Sequence, residues 1–474
     1  METVLLYILG VVIVVIGLAL SIGLHEIGHL LPAKAFGVKV TQYMIGFGPT
    51  LWSRRKGETE YGVKAIPLGG YISMIGMFPP AKPGEKPHPN STGFFNQLVQ
   101  EGAPAQDQTA QDPNLQDPNA KRPGALTSLV EDARQSSADT IGAGEEHRAF
   151  YRLAVWKRII IMLGGPTMNL LIAVVLFAVL LMGFGTAQAS TTVGSVSACV
   201  LPASSTQTAC TATDEKSPGA AAGLQPGDRL VSIDGTAITS WDQSTGIIRS
   251  SPGTPLAVVV DRAGTDVNLT ITPKLTERYV LDSAGKVTTD ADGTAVTQEV
   301  GFVGIGPAGE LVQQPATAVL PAVGDNVGAV VHMILNLPQR MVDIVNAAFG
   351  PGERDPNGPI SVVGVGRVAG EIASINTIPV ASKAASLIGL LASLNVALFV
   401  FNLIPLMPLD GGHVAGALWE GLRRRVAKLF KRKDPGPVDM ARLMPLTFAV
   451  VIVLGGMSLL LIYADIVKPI NLFG

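Results

Sequence analysis

Long apolar runs separated by polar stretches dominate the chain. Residues 3–24 carry no charge and are mostly Val, Ile and Leu. As a helix rising about 1.5 Å per residue, that run crosses a hydrocarbon layer of about 30 Å. Apolar character resumes at Leu30 and Leu31, and Pro32 and Lys34 mark the exit. A second run covers 169–184, extended backwards over 163–168. An amphipathic approach helix over 150–163 precedes it, with Trp156, Lys157 and Arg158 as interfacial anchors. The third, 383–410, is uncharged between its ends but must break near Pro405 and Pro408. The fourth covers 444–463.

The stretches between them carry other periods. Residues 38–43 and 60–66 alternate like strands around the polar turn Arg54-Arg55-Lys56-Gly57, ending at Pro67-Leu68-Gly69-Gly70-Tyr71. They predict a β-hairpin or small sheet lying against a membrane, although an ordinary surface hairpin fits the same pattern. Residues 79–146 are rich in Gln, Pro, Asp, Ala and Ser and read as a mostly disordered insertion, with His88 and His147 solvated. From 191 to 273 the pattern becomes that of a soluble β-rich module, continued by a Gly/Asp-rich hairpin over 277–298. Residues 315–349 are apolar but broken by Asp325, His332, Arg340 and Asp343, which predicts a surface-lying helix pair rather than a span. His332 is an interfacial or core histidine on that reading. Residues 358–364 form a glycine-rich re-entry before the third run.

Composition narrows the class. Of 474 residues 47% are hydrophobic and 15% charged, too apolar for a purely soluble protein and too polar in the middle for a helical bundle alone. A formal net charge of −2 gives no basis for nucleic-acid binding. The first run lacks a basic leader region and exceeds the length of a signal core, so it reads as a retained helix. Cys199 and Cys210 would close a small loop outside the cell and stay free thiols inside it.

Candidate chemistry begins at His25-Glu26-Ile27-Gly28-His29, inside the first span. His25 and His29, at i and i+4, project from one helix face and can take two corners of a tetrahedral zinc site. Glu26 is close enough to take a proton from a water at that site. The competing reading is polar packing between helices, but three ionisable groups within a span are costly and mark a functional site. Asp410 lies at the end of the broken third run and is the candidate third ligand, the alternative being a cap on the helix after it. His413, three residues on, reads as a residue that supports a ligand from behind or packs near it, rather than as a ligand itself. Asn169, at the start of the second run, either satisfies a helix contact or faces a substrate.

In the β-rich module, Gly223-Leu224-Gln225-Pro226-Gly227-Asp228, followed by an apolar strand and the Asp234-Gly235 turn, resembles a PDZ domain. Such domains bind extended peptides by strand addition, which makes Gly223, Leu224, Gly227 and Asp228 the candidate peptide-binding loop.

Basic residues select an orientation. Lys34, Lys39, Arg54, Arg55 and Lys56 follow the first span and Lys157 and Arg158 precede the second. Arg423, Arg424, Arg425, Lys428, Lys431, Arg432 and Lys433 lie between the third and fourth. With four crossings all of these fall on one side, which is then cytosolic. Both termini and the PDZ-like module face outward, where a Cys199–Cys210 disulfide persists and contributes about 2–3 kcal/mol. His25, His29 and Asp410 arrive at a similar depth toward the cytosolic face.

The expected fold class is an α-helical membrane protein with four transmembrane helices, a membrane-associated β-hairpin or sheet and an inserted extracytoplasmic α+β PDZ domain. Its first half comprises 1–34 (first span with the histidine motif), 35–78 (hairpin), 79–148 (polar cytosolic insertion) and 149–187 (approach helix and second span). There follow 188–275 (PDZ), 276–382 (extracytoplasmic extension and interfacial helices), 383–413 (third span), 414–442 (basic cytosolic segment) and 443–474 (fourth span and tail).

Taken together, the motifs resemble the site-2 protease family of intramembrane zinc metalloproteases, and within it the bacterial branch with a PDZ insertion that cleaves membrane-bound anti-sigma factors. The matching residues are the His25–His29 motif, Gly165-Pro166-Thr167-Met168-Asn169, the loop around Gly223–Asp228, and Asn402 through Gly412. The resemblance implies one Zn2+ per chain on His25, His29 and Asp410, with Glu26 as general base. It implies that the 38–77 hairpin re-enters the membrane and offers an edge strand to substrate, and that Asn402, with Asn169 beside it, positions the substrate backbone. The implied substrate is a single-pass membrane protein such as an anti-sigma factor, with signal-peptide remnants as a second class. The implied location is a bacterial cytoplasmic membrane, with the lipid bilayer around the spans and a peptide or substrate ectodomain at the PDZ domain. Only one PDZ signature is present where some relatives carry two, and the 79–146 insertion has no counterpart in the family pattern.

Three other classes compete. A metal-ion transporter would use the same ligands, but no internal repeat is visible. A non-catalytic PDZ scaffold has no need of Glu26. A membrane-anchored zincin acting on soluble peptides fails if the motif lies at membrane depth.

Overall fold

A computed structural model describes residues 2–79, 130, 133, 134 and 136–470, apart from 202, 204, 206, 208, 209, 212, 281–286, 291–293, 351–353, 356, 357 and 377. Most of the expected 79–148 insertion, His88 included, lies outside the described residues. Its described end is tied to the segment after the hairpin: the Phe78 N–H donates to Ser137 Oγ at 2.9 Å and the Gly76 N–H to Thr140 Oγ1 at 3.1 Å.

The elements begin with α1 (Glu2–Ala35), β1 (Val40–Lys56), β2 (Thr59–Met74), α2 (Val155–Ala178) and β3 (Thr186–Val196). They continue with α3 (Pro218–Ala221), β4 (Arg229–Ile233), β5 (Thr236–Ala237), α4 (Trp241–Ser250), β6 (Leu256–Arg262), β7 (Thr265–Ile271) and β8 (Lys274–Tyr279). Then come β9 (Thr297–Phe302), β10 (Ile305–Val312), α5 (Val319–Leu335), α6 (Leu337–Phe349) and α7 (Val362–Ser374). The last are α8 (Val380–Asn402), α9 (Asp410–Leu429) and α10 (Met444–Val467). They form two compact units, Met1–Met182 with Pro315–Gly474, and Gly183–Gln314.

In the first unit, helices win the apolar runs although many residues are β-branched, because a backbone in a hydrocarbon layer must satisfy its own hydrogen bonds. Small residues then let helices touch: a Cβ on Gly28 of α1 would lie 2.3 Å from the Gly164 carbonyl oxygen of α2. Among the described residues, five helical stretches are long and apolar enough to cross a membrane: Glu2–Ala35, Val155–Phe184, Ala316–Leu335, Val380–Asn402 and Met440–Val467. The expectation was four, with a surface-lying helix in place of Ala316–Leu335. Its polar residues Asp325 and His332 are exposed, while Val319, Val323 and Val330 pack with Ala173 and Phe177 of α2 and Val396 of α8. Helical periodicity puts these valines on one face, and the interruptions fall off it.

The first half of β1 pairs with both ends of β2. Ile45 opposes Val63 on one side and Gly70 on the other, and Tyr43 opposes Tyr61 and Ile72. The small expected sheet is therefore present, with β2 wrapped around β1. The Tyr43 hydroxyl donates to the Gly23 carbonyl of α1 at 2.8 Å, which fixes the sheet beside the histidine motif.

The second unit is an antiparallel sheet in the order β10-β3-β4-β6-β7, with β5 on β4 and a separate β8–β9 hairpin. It takes in β10, from the stretch expected to be an extension. Its core holds Val193, Leu230, Ile233, Trp241, Leu256, Val258 and Val260. Cys199 and Cys210 are joined as a disulfide.

Candidate metal centre

α1 delivers His25, Glu26 and His29, all buried, one turn beyond the Tyr43–Gly23 anchor. Asp410 arrives from the far end of the chain. α8 ends at Asn402, a turn containing Pro405 and the cis Met407–Pro408 bond follows, and Asp410 opens α9. That turn lies against Gly411 and Gly412, where a Cβ would meet the Ile404 oxygen at 2.4 Å and the Met407 nitrogen at 2.7 Å. The prolines end α8 as expected; Asp410 belongs to the next helix but makes no side-chain cap there.

The three side chains converge. Asp410 Oδ2 lies 3.3 Å from Nε2 of both His25 and His29. The two Nε2 atoms are 3.2 Å apart. Ligand bonds of about 2.0–2.1 Å in a tetrahedral site set the donor atoms about 3.3–3.4 Å from one another. Asp410 Oδ2 is buried and, among the described residues, faces only the two Nε2 atoms, so an ion among the three atoms would satisfy it. The group can hold a metal ion.

Both imidazoles are oriented from behind. His29 Nδ1–H donates to the Ile161 carbonyl at 2.7 Å, which leaves Nε2 as the lone-pair nitrogen. The Asn169 amide lies 3.1 Å from His25 Nδ1. Its Oδ1 has no partner, and turned toward the ring it accepts the Nδ1 proton, leaving His25 Nε2 free as well. Asn169 thus makes a contact between α2 and α1. A Cβ on Gly165 would lie 2.2 Å from His29 Nε2 and 2.7 Å from His25 Nε2, so only hydrogen fits there. Likewise β2 passes over Glu26 at Gly70, where a Cβ would be 3.0 Å from Glu26 Cγ.

Other candidates sit elsewhere. Asn402 ends α8 half-buried, and among the described contacts it makes none with the His–Asp group. The His413 ring stacks on Phe78 at 6.4 Å, a packing role. Arg158, expected at the interface with Trp156, is instead buried and paired with the fully buried Glu420 of α9. Asn395 was not anticipated: it is buried on α8 and donates to Ser21 Oγ of α1 at 2.9 Å, one turn before His25. A lone amide in an apolar run was the available signal.

In the second unit, Gly223 and Gly227 take positive φ and shape the loop. Leu224 is in the core, and the Asp228 carboxylate accepts from the Gln225 N–H at 2.8 Å and from Arg262 at 2.7 Å. The Arg262 guanidinium holds the Asp228 carboxyl below the usual carboxylate range. The polar groups of Asp228 are thus engaged internally.

Residues 13–435 match the family model described as Peptidase family M50. The chain is 32% identical over 479 residues to the zinc metalloprotease Rip1 of Mycobacterium tuberculosis, covering 99% of this chain and 100% of that one. It is 30% identical to Rip1 of Mycolicibacterium smegmatis, over 98% of this chain and 99% of that one. The metalloprotease MmpA of Caulobacter vibrioides is 28% identical over 89% of this chain and 86% of its own.

Proposed function

The chain belongs to peptidase family M50, the site-2 proteases, and is a zinc metalloprotease; from that premise we propose that it hydrolyses peptide bonds inside the transmembrane segments of other membrane proteins. The observation that carries this reading is the convergence of His25, His29 and Asp410, with Glu26 beside them, at the buried end of a helix long and apolar enough to span a bilayer. His25, His29 and Asp410 would hold one Zn2+ per chain. When bound, the ion would supply Lewis acidity toward the scissile carbonyl and a water. Glu26 takes the proton of the attacking water and returns it to the leaving nitrogen.

A helical substrate has its backbone hydrogen bonds satisfied, so it must unwind before it can be cut. The β2 segment from Gly70 onward runs beside Glu26 and offers an edge on which an unwound segment pairs. Asn402 holds the substrate backbone beyond that edge, while Asn169 serves the substrate only through His25. The second unit acts as a PDZ-type module. Its loop Gly223–Asp228 frames the fold, and the outer edge of β10 receives an extended peptide or substrate ectodomain.

The substrates are single-pass membrane proteins of the anti-sigma-factor kind, with signal-peptide remnants as a second class, in a bacterial cytoplasmic membrane. The metal centre faces the cytosol, and the disulfide-bearing unit and both termini face outward. α5 enters the apolar layer without adding a net crossing, because α6, at 13 residues, reaches only about 20 Å and cannot return across the bilayer.

The test is hydrolysis of a transmembrane reporter by the purified protein in liposomes, wild type against Glu26→Gln. Loss of cleavage with zinc retained is expected. Unchanged cleavage would remove Glu26 from the mechanism, and cleavage confined to soluble peptides would refute the intramembrane reading.

A further inference from the structure

α9 has two opposed faces. Ala417 and Glu420 are buried on the inner one, while Gly411 and Gly412 are buried against the turn that precedes the helix. There Glu420 pairs with Arg158 of α2 and with Arg424, and accepts the Val438 N–H at 3.0 Å. On the outer face Leu418, Leu422, Val426 and Leu429 recur at i, i+4, i+8 and i+11, with Trp419 and Phe430 beside them. All six are between 45% and 77% exposed. A continuous apolar stripe of this size is rarely left in water. Arg423 and Arg425 flank the stripe on its two sides, and Lys428, Lys431, Arg432 and Lys433 extend the positive charge. Over 410–433 the acids are Asp410 and Glu420, neither of which faces outward.

This helix is too charged to span a membrane, yet it follows directly on α8, which is apolar and long enough to do so. It therefore starts where α8 leaves the hydrocarbon. An amphipathic helix at that level, with cations bordering an apolar stripe, suits the headgroup layer, and its charge complements anionic lipids.

We propose that α9 is an interfacial helix that seats its Leu418–Phe430 stripe in an anionic lipid leaflet and thereby sets the depth at which Asp410 meets His25 and His29. Clamped to α2 through Glu420, the helix moves as one piece with its first residue. The lipid contact stands independently of the proteolytic reading; its effect on Asp410 rests on that reading.

The experiment uses the full-length protein in nanodiscs of phosphatidylcholine with or without phosphatidylglycerol. The Trp419 signal is taken as the difference between wild type and Trp419→Phe. Lipids brominated near the headgroup end of the acyl chain should quench it more than lipids brominated near the chain end. Reporter cleavage should rise at least about fivefold with phosphatidylglycerol, and the triple variant R423E/R425E/K428E should lose that rise while keeping its activity in phosphatidylcholine. Trp419 quenched by aqueous iodide but by neither lipid would overturn the proposal. So would shielding that grows with protein concentration, which would make the stripe a contact between copies. Quenching as expected with cleavage surviving Glu26→Gln would leave the lipid contact standing and sink the proteolytic reading instead.

Discussion

The Asn169 amide lies 3.1 Å from Nδ1 of His25, while Nε2 of the same ring lies 3.3 Å from Asp410. One side chain on α2 therefore selects which nitrogen of a ring on α1 is free. Asn169→Ala should weaken zinc binding by about 10–100-fold, the usual cost of losing a partner behind a metal-ligating histidine. Competition with a chromogenic chelator measures this directly. An unchanged affinity would mean that the ring is oriented by other contacts.

Gly165→Ala should be more damaging than its size suggests. The added methyl would enter the space of both histidine rings, and a displacement of about 1 Å can cost about 100-fold in rate. Gly183→Ala, where a Cβ meets no atom within 4 Å, is the matched control. Reporter cleavage and zinc content should fall together in the first variant and stay level in the second.

Glu420→Ala leaves Arg158 charged and buried without its carboxylate. Breaking one side of a buried pair costs about 3–5 kcal/mol, whereas replacing both partners with apolar residues is far milder. Thermal unfolding in detergent should show a large loss for Glu420→Ala and a partial recovery in Arg158→Met/Glu420→Leu. Equal losses in both variants would contradict this account of the α2–α9 clamp.

The second unit should lose stability in acid. Its Asp228 carboxyl is held below the ordinary value of 3.8 by Arg262, so the unfolded chain binds the proton first as pH falls. The stabilisation is complete at neutral pH and drains away below about pH 4. Pulse proteolysis of the intact protein should show cleavage between residues 215 and 275 rising in that range. Asp228→Asn should flatten the pH response and lower stability at pH 7, by about 1.5–3 kcal/mol for hydrogen bonds to a buried charge.

The convergence of His25, His29 and Asp410 is legible because its signals are local or costly. Two histidines at i and i+4 declare a shared face, and a carboxylate at the end of an apolar run needs a partner. What pairs with what across the chain was not readable. Arg158 looked like an interfacial anchor because its partner Glu420 lies 262 positions away. Gly165 belongs to a matching motif, but nothing local shows that two rings pack against it. The apolar content of Ala316–Leu335 was visible, but its interruptions hid a clean buried face. β10 joined the sheet of β3 across more than a hundred residues, which no turn signal announces.

Asp410 follows the histidine pair by roughly 380 residues, and at common rates of synthesis that separation is roughly 20–80 seconds of ribosome time. Until α8 and the start of α9 have been laid down, the emerging chain carries two of the three converging donor side chains. On the proposed mechanism, translation products that end before that carboxylate should neither hold zinc nor cut.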